Sequence, residues 1–93
     1  MDEVEGLTLA SYIKTSQYRY KVMRSLKKYS LQTPTEISKD TGILVSHMSN
    51  VLRQLKEKNL IECVNENSHK GRIYRLTSIG YVVANDYLPK LWE

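Results

Sequence analysis

The 93 residues make one domain with a single modest core, 41% of them are hydrophobic, and no apolar run comes near the roughly 20 residues of a membrane span, so no membrane-spanning helix is expected. The net charge of +4 is unevenly spread: residues 16–76 carry twelve Lys or Arg against five Asp or Glu, while the two ends together are net negative. A central unit this basic, in a chain of sequence pI near 9.2, suits a polyanionic partner.

Taken in order, Met1 to Gly6 (MDEVEG) is acidic where a signal peptide would be basic, and a mobile start is expected. The single cysteine, Cys63, cannot form an internal disulfide, so a reducing cytoplasm is the expected location. Leu7 to Lys14 has apolar residues at 7, 9, 10, 12 and 13, read as a short helix that packs on its own domain or on a partner chain. Ser16 is a good N-cap for a helix over Gln17–Tyr29. Val22, Met23 and Leu26 form its inward stripe, and Arg19, Lys21, Arg24, Lys27 and Lys28 are read as solvated cations on the outward face. Ser30 to Gln32 is read as a very short strand.

Thr33-Pro34-x-Glu36 matches a capping box with Pro in the first turn, and Gly42 supplies a positive φ just past that helix. A second helix follows, 45–58, with Met48, Val51, Leu52 and Leu55 on one apolar stripe. Opposite lie Ser46, Asn50, Arg53 and Glu57, flanked by His47, Ser49 and Gln54. Two helices joined this tightly form a helix-turn-helix. Asn59 ends the second helix, Leu60–Asn65 and Arg72–Leu76 read as strands, and the polar Glu66–Gly71 joins them. The expected fold is therefore α+β, a winged helix-turn-helix with a three-helix core, a β-hairpin wing and an extra C-terminal helix, in one domain over 1–93.

An α-helix fits the DNA major groove, and its first turns do the reading, which points to Val45, Ser46, His47, Ser49 and Asn50. Asn50 can pair bidentately with adenine, Val45 can touch a thymine methyl, and Arg53 can reach a guanine or a phosphate. Thr33 and Thr35, at the start of the shorter helix, lie where free N–H groups favour a phosphate. In the wing, His69, Lys70 and Arg72 are placed to meet the backbone or the minor groove, and Glu62 and Glu66 are expected to point away. Double-stranded DNA is the expected partner.

The run ISKDTGILVSHMSNVLRQLKEKNLIECVNENSHKGRIYRLTSIG, with LKEKNLI, GRIYRLT and LTSIG in order and SQYRYKVMRSL before it, resembles the winged-helix transcriptional regulators of archaea, relatives of the MarR, ArsR and PadR groups. The resemblance covers roughly Tyr12 to Leu88 and implies a dimeric, sequence-specific duplex-DNA binder. The chain departs from the pattern at Leu44, where a capping Ser or Thr is usual, at Asn50, where a basic residue is common, and at Asn59, which replaces Gly but tolerates the left-handed conformation.

Ser78 to Trp92 is read as a final helix with an approximate stripe of Ile79, Val82, Val83, Leu88 and Leu91, bulky Tyr81, Tyr87 and Trp92, and a bend at Pro89. Since relatives pair through terminal helices, segments 7–15 and 77–93 are expected to form a homodimer interface through Leu7, Leu9, Tyr12, Ile13, Val83, Tyr87, Leu88, Leu91 and Trp92. Cys63 with His47 and His69 has no zinc spacing, and neither a cofactor site nor a nucleophile with a neighbouring base is visible, so no metal, cofactor or enzyme activity is expected. The tyrosines and Trp92 leave room for an effector pocket at the dimer interface, but no residue pattern specifies a ligand. Two other readings stand beside transcriptional regulation: a DNA-coating protein of partition or chromatin type, and a protein-interaction winged helix in a larger assembly.

Overall fold

Asp2 accepts a hydrogen bond from the backbone N–H of Glu5 at 2.8 Å and so starts helix α1, Glu3–Lys14, in the computed structural model, which describes residues 1–91. The start expected to be mobile is thus helical from Glu3, with Glu3 and Glu5 in the first turn, where carboxylates complement the helix dipole. Ser16 caps α2, Gln17–Lys28, by accepting from the Arg19 N–H at 3.3 Å. Helix α3, Pro34–Thr41, opens with both halves of the capping box formed and closes on Gly42 at φ 78°. Helix α4 follows at Val45–Glu57, and Asn59, at φ 60°, turns the chain out of it.

Strands β1, Ile61–Cys63, and β2, Tyr74–Leu76, pair antiparallel, with Ile61 opposite Leu76 and Cys63 opposite Tyr74. Both are shorter than the sequence suggests, because past Val64 a side chain takes over the ladder. The Asn65 Oδ1 accepts from the Ile73 N–H at 2.7 Å and its Nδ2 donates to the Gly71 carbonyl at 3.1 Å. The third strand shrinks to one bridge, in which Gln32 and Tyr74 exchange backbone hydrogen bonds of 3.1 and 2.8 Å. Gln32 is buried there, and its Nε2 donates to the Ser25 carbonyl and hydroxyl and to the Tyr29 carbonyl, so the amide is paired inside the core.

One apolar core joins every element: Ala10 and Ile13, Val22, Met23 and Leu26, Ile37, Met48, Leu52 and Leu55, Leu60, Ile61 and Leu76, and Val83, Ala84 and Leu88. The last three belong to a segment expected as one helix and found as three windings. Thr77 caps a short helix α5, Ser78–Val82, which widens into a π turn over Val83–Tyr87 and tightens into a 3₁₀ turn over Leu88–Leu91. The π turn brings Val83 and Leu88, five apart, near one face, and the 3₁₀ turn aligns Leu88 with Leu91, three apart. Lys14 donates to the Leu91 carbonyl, and Lys90 meets Glu3 at 3.4 Å, tying this segment along α1.

Candidate nucleic-acid interface

Met48, Val51, Leu52 and Leu55 hold α4 in the core, and that burial fixes what its other side presents. Val45, Ser46, His47, Ser49, Asn50 and Arg53 are all exposed. The Asn50 Oδ1 accepts a hydrogen bond from the Arg53 guanidinium, which also meets Glu57 at 3.2 Å. These links, at i, i+3 and i+7, align Asn50, Arg53 and Glu57 along one edge of the helix. No side chain caps the first turn of α4, since Leu44 occupies that position and is 65% exposed. The His47 N–H donates to the Leu44 carbonyl at 2.9 Å, and the N–H groups of Val45 and Ser46 have no side-chain cap.

At the start of α3, Thr33 is committed to the capping box. Its hydroxyl accepts from the Glu36 N–H at 3.2 Å and its own N–H donates to the Glu36 carboxylate at 2.8 Å. Thr35 is exposed, whereas phosphate capture at Thr33 has to displace Glu36.

The wing is braced from within. Arg72 folds back on it, Nε donating to the Ser68 carbonyl at 2.9 Å and Nη2 to that of Glu66 at 3.3 Å. His69 and Lys70 are exposed at the tip. Glu62 pairs with Arg75 across the strands at 2.7 Å, and Glu66 pairs with Lys56 of α4. The Lys56 ammonium beside it draws the Glu66 carboxyl below its ordinary value, and the Lys56 ammonium is raised in turn by the same hydrogen bond.

Two residues that sequence reading left out belong to the site. Tyr18 of α2 lies against His47, ring centroids 5.8 Å apart and tilted by 52°. Arg19, read as an outward cation, turns in: it donates to the Tyr12 carbonyl at 2.9 Å, to the Thr15 hydroxyl at 2.8 Å and to the Gln54 Oε1 of α4 at 3.0 Å. Its guanidinium sits 3.9 Å from the centre of the Tyr12 ring. No pattern marks such a residue, because its partners lie 7 and 35 positions away.

Of the residues expected at a dimer interface, Ile13, Val83 and Leu88 are covered by the chain's own core. Leu7, Leu9, Tyr12, Tyr87 and Leu91 remain partly exposed along α1 and the last segment, and Trp92 lies outside the described residues. Cys63 is half-buried, its thiol 3.5 Å from the Asn65 Oδ1. Among the described residues no group of three or more His, Cys, Asp or Glu is placed to hold a metal ion, and no helix is long and apolar enough to cross a membrane.

No family model matches the chain, and no curated protein matches it by sequence. Solved structures do match. MarR from E. coli, as a cysteine-to-serine mutant complexed with operator DNA, superposes with a TM-score of 0.67 at 22% identity, over 87% of this chain and 59% of that one. The apo form of wild-type E. coli MarR gives 0.68 at 22%, over 87% and 61%, and its reduced form 0.65 at 20%, over 96% and 71%. The chain thus spans about 60% of the length of the first two structures. At these identities the likeness is one of fold, and the fold is the winged helix.

Proposed function

We propose that the protein is a sequence-specific duplex-DNA-binding regulator that works as a homodimer. The observation that carries this reading is the uncovered outward face of α4, where Val45, Ser46, His47, Ser49, Asn50 and Arg53 stand together, with His69 and Lys70 exposed on the wing. These side chains carry the donors, acceptors and methyl groups that read base edges in a major groove. A MarR structure of the same fold was solved on operator DNA, which supports the reading. On this reading α4 enters the major groove, the wing tip lies on the backbone or minor groove, and Asn50 pairs with adenine once Arg53 swings away to a phosphate. The partly exposed Leu7, Leu9, Tyr12, Tyr87 and Leu91 pair two copies about a two-fold axis, which sets half-sites roughly one helical turn, about 10 bp, apart or a multiple of it.

Selection of bound duplexes from a random pool at physiological salt tests this. An enriched inverted repeat is expected, and Asn50→Ala relaxes preference at one base position of each half-site. Binding of every duplex alike, with nothing enriched, replaces the regulator by a coating protein, and binding of none at low salt leaves a protein-interaction module.

A further inference from the structure

Lys21, Arg24 and Lys28 fall at i, i+3 and i+7 on α2, with Lys27 on the flank, directly opposite the buried Val22, Met23 and Leu26. All four are exposed, and none has an ion-pair partner among the described residues, although carboxylates elsewhere pair with Arg53, Lys56, Arg75 and Lys90. They line an open groove of about 1030 Å³ that is also lined by Asp40 and Thr41 at the end of α3 and by Ala84, Leu88 and Pro89 of the final segment. One carboxylate, Asp40, faces four cations in that groove.

From Lys21 to Lys28 the stripe runs about 10 Å along the helix. Over that length one strand of a duplex presents about three phosphate charges, so the spacing suits a polyanion of regular charge density better than a single small anion. The stripe is not part of the surface proposed for base reading. Helices α2 and α4 bury their apolar faces in the same core, so their outward faces diverge. Tyr18, which marks where α2 meets α4, lies one turn before Lys21, about a third of a turn round the helix from Arg24 and half a turn from Lys27, so the stripe leads away from the base-reading face. The other walls of the groove contribute no residue to the base-reading face.

We propose that this α2 stripe is a second, sequence-independent DNA-contacting surface that takes the backbone of another duplex, so that the protein joins two DNA segments. The inference rests on the duplex-binding reading of α4.

The test compares the full-length protein with the variant K21Q/R24Q/K27Q/K28Q, whose changed side chains are all exposed. One duplex is fixed to a support, a second labelled duplex is added at about 50 mM salt, and capture of the label is read beside binding to a single duplex. The wild type is expected to capture the second duplex with a salt dependence of about three to four powers, close to 0.9 per phosphate neutralised. The variant is expected to keep its single-duplex sequence preference and lose capture at least tenfold. Capture that persists in the variant, as it would if a dimer used its two base-reading faces on two duplexes, overturns the proposal. So does a wild type that binds one duplex but captures no second, which leaves the reading of α4 intact. A wild type that binds no duplex overturns both.

Discussion

Arg19 of α2 donates to Gln54 of α4 at 3.0 Å while it also holds the Tyr12 carbonyl of α1, so one guanidinium ties the terminal helix to the helix that presents the outward polar face. The three acceptors are met by three separate nitrogens of one rigid plane, whereas the three donors of an ammonium all leave from a single nitrogen. Arg19→Ala is expected to cost about 2 kcal/mol, the order of a charged hydrogen-bond set in a half-buried site. In a domain this size that lowers Tm by roughly 8–16 °C. Arg19→Lys should recover less than half of the loss. Thermal unfolding followed by circular dichroism decides it, and an unchanged Tm removes the clasp.

Gly80 stands where the last segment crosses the turn after α4. A Cβ there would collide with the Leu60 carbonyl oxygen, which is pinned because it accepts from the Thr77 N–H at 3.0 Å and the Thr77 hydroxyl at 3.2 Å. Gly80→Ala is therefore expected to destabilise by about 3 kcal/mol, the upper range for overpacking, since the obstacle is backbone and not a flexible side chain. Denaturant titration with a wild-type m-value would show it as a shift in midpoint.

Leu44 offers the opposite case. It precedes α4 with extended backbone, the conformation of an N-cap, and its carbonyl accepts from the His47 N–H at 2.9 Å, yet its side chain offers no acceptor to the remaining free N–H groups. Leu44→Ser is expected to stabilise the protein by about 1 kcal/mol, because little burial is lost and one orphan donor is satisfied. A fall in Tm instead would mean that Leu44 packs on a surface not accounted for.

The link between Glu66 and Lys56 predicts a pH response of the wing. The Glu66 carboxyl sits below its ordinary value of 4.5, so the pair contributes fully above that value and is lost as pH falls through the lowered one. Both groups are exposed, so the global effect is small and the local one is measurable. In an NMR titration the Glu66 carboxyl should titrate lower than an isolated glutamate, and Lys56→Met should return it upward. Identical titration in both proteins would remove the tie between wing and α4.

Many features governed by neighbours within four residues were readable from the chain alone, although the Asp2 cap that starts α1 was not. Thr33 with Glu36, Gly42, Asn59 and the Met48 to Leu55 stripe each stand where their local chemistry requires. What escaped depends on side chains that serve distant backbone. Asn65 ends both strands by imitating the ladder, Gln32 fills the core end of the third strand, and Arg19 turns from solvent to hold three acceptors. The final segment escaped for another reason. Val83, Ala84, Leu88 and Leu91 also fit a stripe of period 3.6, so their spacing does not announce the change of winding.

That winding has a mechanical consequence. Two uniform helices can ratchet past each other by one turn, because every turn presents the same ridge. The last segment changes pitch twice in fourteen residues, Ser78 to Leu91, and along its length the ring of Tyr87 packs onto the bare backbone of Gly6 in α1. A screw cut with three different threads fits its nut at one setting only. Sliding the last segment along α1 by one turn would therefore break the Gly6–Tyr87 contact without forming an equivalent one.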